Sequence, residues 1–147
     1  MDKSRIGVLI GSLIGGFTTF SSGVESYVLK GYKKISPFFF PYSITNIGSA
    51  LLAIDTGLTG PNYSISAACA TANYCFYAAA NHITKGEADI MVAGATDASL
   101  MPAGLAGLIA CRALSQRNDE PEKASRPWDK GRDGLVMGEG AGVLVII

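Results

Sequence analysis

Ser64-Ile65-Ser66-Ala67-Ala68-Cys69-Ala70-Thr71-Ala72-Asn73 is the junction on which the reading of this chain turns. A β-prone stretch, residues 62–66, runs into small residues, and residues 70–80 behind Cys69 read as a buried helix. Small neighbours on both sides permit a tight strand-to-helix elbow, the geometry that leaves a nucleophile bare at a turn. A cysteine placed there meets unpaired backbone N–H groups and the positive end of the helix dipole. Both favour thiolate, the form that attacks carbonyls. The same residue also reads as a structural cysteine, since free cysteines are among the most buried residue types.

Working outward, Ile6-Gly7-Val8-Leu9-Ile10-Gly11 is a short, two-sided apolar run of the kind buried inside a parallel sheet. Gly11, Gly15 and Gly16 turn the chain into a helix expected over 18–30 and ended at Gly31. Two prolines make 35–41 a loop, whose Phe38, Phe39 and Phe40 cap a core or face a partner. A second helix is expected over 43–55, with Ile44, Ile47, Leu51 and Ile54 on its apolar face. Lys85-Gly86 stops the helix behind Cys69. Residues 101–112 are small, apolar and interrupted by glycine, which predicts loops with short helical turns, and 116–133 form a polar surface loop. Alternating strands and helices predict an α/β layered sheet with strands at 6–11, 62–67, 89–95 and 142–147. The last of these is an apolar edge that needs a cover, so the rest of the domain is expected to be absent.

Composition narrows the function classes. The 147 residues suffice for one domain, and 12 basic residues balance 12 acidic ones. That balance gives no reason to expect a nucleic-acid or anionic-membrane partner. Cys69, Cys75 and Cys111 are odd in number and form no C-x-x-C pair, which argues against a disulfide scaffold and for a reducing compartment. No apolar run approaches the ~18 residues of a membrane span. Lys3 and Arg5 before the apolar residues 6–17 imitate a signal peptide, but Asp2 lies in the supposed basic region and a strand followed by Gly15-Gly16 accounts for the same residues.

Other motifs fall short of their chemistry. Gly11-x-x-x-Gly15-Gly16 lacks the G-x-G start of a dinucleotide loop. Gly138-x-Gly140-x-Gly142 precedes a strand, whereas a phosphate cradle precedes a helix. Arg126, Asp129, Lys130, Arg132 and Asp133 read as a substrate clamp or as a solvated loop with internal ion pairs, and Trp128 among them implies packing onto the body. The single histidine, His82, lies 13 residues after Cys69 on the same expected helix. At 1.5 Å per residue that is roughly 20 Å, too far for it to act as the base for Cys69. The chain thus supplies a nucleophile without a general base.

The runs 60–66 through Cys69-Ala70-Thr71, Ala110-Cys111-Arg112-Ala113-Leu114-Ser115, Ala124-Ser125-Arg126-Pro127-Trp128-Asp129 and Gly138-Glu139-Gly140-Ala141-Gly142 resemble the beta-ketoacyl-acyl-carrier-protein synthases. Lys34-Ile35-Ser36-Pro37-Phe38-Phe39 and residues 73–83 look most like the plant plastid type I members. The resemblance covers essentially all of the chain and implies a partial thiolase-like α/β/α sheet, a fragment of the family's N-terminal half over 1–147. It implies fatty acid synthesis by decarboxylative condensation of acyl- and malonyl-carrier protein through an acyl-cysteine on Cys69. Ile14 and Leu108 match acyl-pocket positions, and Lys33, Lys34 and Arg112 match positions that receive the acidic acyl carrier protein. The family's catalytic histidines and lysine come from the other half. No cofactor or metal is implied, because the substrates bring their own phosphopantetheine thioesters. A dimer, with itself or with a full-length synthase, and a plastid location follow from the same likeness; without it, the cytoplasm is expected. Ala67 stands for the family's Thr, Ala72 for Ser, Asp97 for Glu, Ala106 for Gly and Leu108 for the gating Phe. The alternative these changes raise is an inactive truncated paralogue that at most dimerises.

Overall fold

Strand β1, Ile6–Gly11, is buried along its whole length, as expected of a strand covered on both faces. In a computed structural model describing residues 1–147 it pairs in parallel with β3, Ile90–Asp97, in the register Ile6↔Ile90 to Gly11↔Ala95. On its other side lies β2, Asn62–Tyr63, also parallel, and β4, Gly140–Ile146, adds an antiparallel edge to β3. The sheet order is β2-β1-β3-β4.

The period-2 alternation of strands sorts the core into two layers. Val8, Ile10 and Val92 face helix α3, Ile47–Thr56, through Leu52 and Ala53. Leu9, Met91 and Ala93 face helix α4, Thr71–Thr84, through Cys75 and Ala79. Helices therefore cover both faces of the sheet, the α/β/α arrangement expected. Arg5 and Asp89 close one end of the β1–β3 pair with a two-pronged contact, Nε to Oδ2 at 3.1 Å and Nη2 to Oδ1 at 2.5 Å. That pairing holds the Asp89 carboxyl below its usual range.

Helix α1, Phe17–Lys30, follows β1 and ends at Gly31, whose φ of 81° suits glycine. Gly16 enters it at φ 67°, and a Cβ there would lie 1.9 Å from the Tyr42 carbonyl oxygen, so the turn admits only glycine. Helix α2, Phe39–Ser43, occupies part of the expected loop. Pro41 is accommodated because it falls in the first turn, where backbone N–H groups have no helical partner. Phe39 stacks on Phe20 of α1 with ring centroids 5.6 Å apart.

Three further expectations are corrected. Helix α3 begins at Ile47 and buries Ser49 and Ala53, while Leu51 and Ile54 stay exposed, so the side facing the sheet is the small one. Strand β2 is two residues rather than six, because a side chain, Ser49 Oγ, takes the Tyr63 carbonyl at 3.0 Å and the chain then turns toward the elbow. Residues 102–110 form one helix, α5, Pro102–Ala110, where short turns were expected. Pro102 suits its first turn, and Gly104 is there for contact: a Cβ would come within 2.3 Å of the Ser99 carbonyl oxygen.

The chain divides into two compact units, Met1–Asp97 with Gly140–Ile147, and Ala98–Glu139. The second holds α5 and the polar loop. There Arg126 donates to the carbonyls of Lys123, Ala124 and Gly131 and pairs with Asp133 at 3.0 Å. Asp133 also accepts from the Ser115 hydroxyl and the Gln116 N–H, which hold its carboxyl below the usual range. Of the five charged residues singled out in the sequence, Arg126 and Asp133 form an internal ion pair. Trp128, however, is 96% exposed at φ 68°, so Arg126 rather than the indole anchors this loop.

Candidate active site

Cys69 stands one residue ahead of the Ala70 cap of α4 and is exposed. Ala68 before it has φ 49°, a left-handed conformation that an alanine adopts only under constraint. The constraint is visible. The Thr71 hydroxyl, buried at the start of α4, accepts from the Ala67 N–H at 2.9 Å and donates to the Ala68 carbonyl at 2.7 Å. Backbone bonds from Ala70 to Ala67 and from Thr71 to Ala68 close the turn. This is the strand-to-helix elbow anticipated in the sequence, with the cysteine at its tip.

Cys75 lies six residues further on and is fully buried, and burial pushes its thiol up while the Gly11 and Ile65 N–H groups oppose that shift. The two α4-side cysteines are thus chemically distinct, one open and one buried as a neutral thiol. Cys111 is exposed and caps the C-terminus of α5.

Ile14 is brought to the same end of the sheet as Cys69. The Ser66 hydroxyl donates to the Leu13 carbonyl at 3.0 Å, and the Leu13 N–H donates to Asp97 Oδ1 at 3.0 Å. Ser12 Oγ adds a second bond to that carboxylate at 2.9 Å. The loop that carries Ile14 is therefore pinned between the elbow strand and the end of β3, beyond the carboxyl ends of parallel strands, where α/β sheets place their ligands. Asp97 has a definite role here, that of fixing the Ile14 loop. Lys33 and Lys34 are exposed on the 3-10 turn Tyr32–Lys34 after α1, with Lys33 Nζ 6.0 Å from the Tyr32 ring centroid.

Leu108 and Arg112 belong to the second unit. Leu108 is half-buried on α5, and its carbonyl accepts from the Ala113 N–H at 3.1 Å as the helix closes. Arg112 takes the left-handed position after the helix, φ 55°, usually filled by glycine. It lines a cleft of about 320 Å³ with Leu105, Ile109 and Leu114, and Leu108 does not line that cleft.

His82 sits in the last turn of α4, as expected, and is committed elsewhere: Nε2 is 2.8 Å from the Tyr63 hydroxyl and Nδ1 is 2.5 Å from Glu87 Oε2. The sequence reading missed Thr71, Ser66, Ser49 and Tyr63. Only Thr71 left a signal, a hydroxyl residue at the first position of a helix.

Comparison with known proteins decides the lineage. A family model described as the beta-ketoacyl synthase N-terminal domain matches residues 1–147. The chain belongs to the beta-ketoacyl synthase family. It is 69% identical over 146 residues to the chloroplastic 3-oxoacyl-[acyl-carrier-protein] synthase I of Arabidopsis thaliana, covering 99% of this chain and 31% of that protein. The corresponding enzyme of Hordeum vulgare is also 69% identical, with 99% and 32% covered. Among solved structures, a type II polyketide-synthase ketosynthase in complex with its acyl-carrier protein, bound to the hexaketide, superposes with a TM-score of 0.91 at 29% identity, covering 99% of this chain and 37% of that one. The chain thus spans about a third of the length of the curated relatives it matches. No helix is long and apolar enough to cross a membrane.

Proposed function

We propose that this chain supplies the acyl-accepting nucleophile of a beta-ketoacyl-acyl-carrier-protein synthase of fatty acid biosynthesis. The observation that carries the reading is Cys69, open to solvent at the tip of an elbow held by Thr71, with Ala68 in a left-handed conformation. In this reading the Cys69 thiolate attacks the carbonyl of an acyl-carrier-protein thioester. The new thioester forms on Cys69 and the carrier leaves as its pantetheine thiol. Malonyl-carrier protein then loses CO2, and the resulting carbanion attacks the acyl-cysteine. The product is a beta-ketoacyl-carrier protein, and the Cys69 thiolate is restored. Backbone N–H groups at the elbow are suited to the oxyanion, a contribution worth roughly 3–4 kcal/mol per donor in hydrolases.

Ile14 and Leu108 are assigned to the acyl pocket, and Lys33, Lys34 and Arg112 to docking of the acidic carrier protein. The exposure of all three cations supports the docking assignment. The reaction calls for no metal or organic cofactor, since the pantetheine arm arrives with the substrate. A dimeric assembly fits the family, and a plastid location fits the chloroplastic relatives.

Condensation requires cationic or hydrogen-bonding groups where enolate charge develops, and His82 is engaged with Tyr63 and Glu87 at the far end of α4. The decarboxylating groups are therefore assigned to the family's C-terminal half. The test is transfer of a labelled acyl group from acyl-carrier protein to the chain, with and without a C-terminal half from a plant relative. Label on Cys69, lost in Cys69→Ala, and beta-ketoacyl product only when the other half is present support the reading. Absence of label on Cys69 in both cases overturns it.

A further inference from the structure

Strand β2 leads directly into the nucleophile elbow, yet it pairs with β1 through only two residues, Val8↔Asn62 and Leu9↔Tyr63. So short a ladder is a weak fixture for a turn that keeps Ala68 in a strained conformation. The Thr71 bonds fix the turn itself, and a further contact joins the two arms away from it.

Tyr63 ends the first arm, six residues before Cys69, and His82 lies near the end of the second arm, 13 residues after it. The two meet across the open side of the V. Tyr63 Oη is 2.8 Å from His82 Nε2, and the rings contact edge-on with centroids 5.6 Å apart. Glu87 completes the chain, its Oε2 2.5 Å from His82 Nδ1, and reaches that position because its own N–H bonds back to the His82 carbonyl at 2.9 Å. A proton on Nδ1 shared with the carboxylate leaves the Nε2 lone pair to accept the Tyr63 hydroxyl, so Glu87 selects the tautomer that closes the link. Tyr63 is held at its other end as well, its carbonyl accepting from the buried Ser49 hydroxyl.

We infer that His82 is a positioning residue: the Glu87–His82–Tyr63 chain clamps α4 to the elbow strand and thereby sets the attack geometry of Cys69. The inference rests on the reading of Cys69 as the reactive nucleophile. His82 touches neither substrate nor the reacting sulfur; it acts through the angle between strand and helix, where small displacements of a nucleophile are costly.

The test measures iodoacetamide alkylation of each cysteine in the same sample of the chain by mass spectrometry. Cys111 serves as the internal reference and buried Cys75 as the reporter of general opening. Tyr63→Phe keeps the ring and removes the hydroxyl, and His82→Leu removes both links. Each is expected to lower the Cys69 rate relative to Cys111 by roughly tenfold, with Cys75 still protected. His82→Gln, whose amide can accept from Tyr63 and donate to Glu87, is expected to restore most of the rate. The double variant Tyr63→Phe/His82→Leu should be no slower than His82→Leu alone.

Cys69 rates unchanged in both single variants would overturn the clamp. So would a loss that coincides with labelling of Cys75, or one that glutamine fails to rescue, because either marks a general structural role. A wild-type Cys69 no faster than Cys111 would instead strike at the nucleophile reading itself.

Discussion

Strand β1 and the polar loop of the second unit are held in shape by opposite means. The strand is apolar and wholly buried, and it is fixed by neighbours on two faces and two edges. The loop is charged and largely exposed, and it is fixed by Arg126 and Asp133 bonding to backbone groups. Hydrophobic burial is proportional to area and indifferent to direction, whereas the loop depends on the geometry of a few donors and acceptors. The first should fail globally and the second locally.

The largest effect should come from the strand. Leu9→Ala removes a side chain with no exposure at the centre of the α4-facing layer. A cost of about 2–5 kcal/mol is expected from such a truncation, read as a lower urea midpoint for all probes together. A change confined to local probes would mean that the two regions differ less than the contrast holds.

Ser49→Ala tests whether a polar group inside the core behaves as the apolar ones do. Its hydroxyl is fully buried and serves the Ile10 N–H at 2.7 Å and the Tyr63 carbonyl at 3.0 Å. Removing it leaves buried groups without partners, a loss of about 1–3 kcal/mol. The expected signature is a lowered midpoint with faster amide exchange at Ile10. An unchanged midpoint would show that β2 is secured without this side chain.

How legible these features are depends on where their partners lie. The two-sided apolar run of β1 and the small residues around Cys69 carry their meaning locally, so strand, elbow and helix follow from the sequence. The inward face of α3 does not, because Ser49 is inward for a hydrogen-bonding reason that periodicity of apolar residues misses. Helix α5 was concealed by its glycines, one of which makes room for the Ser99 carbonyl rather than breaking the helix. At the site, Cys69 was readable. The partners that shape it were not, since Ser66 reaches Leu13 across 53 residues and Tyr63 meets His82 through side chains on two different elements.

The smallest effect on global stability should come from the loop. The Asp133 carboxyl is lowered by the Ser115 hydroxyl and the Gln116 N–H, so its contribution is complete above the ordinary carboxylate range and fades as pH falls through the lowered value. Asp133→Asn at neutral pH is expected to speed protease cleavage within residues 116–133 while the urea midpoint stays put, and acidification is expected to speed the same cleavage. A midpoint that moved with cleavage would join the loop to the same cooperative unit as the sheet.

The parallel pairing of β1 with β3 also bears on how the chain reaches this state. Ile6 and Ile90 lie 84 residues apart, so their contact closes a long loop before it returns any burial. Tyr63 and His82 are separated by only 19. During synthesis, therefore, the elbow and its helix can assemble as a local hairpin-sized nucleus well before the sheet has its central pair. The sheet must wait for the strand that follows that helix. On the ribosome, Cys69 is presented before the scaffold that buries its helix exists.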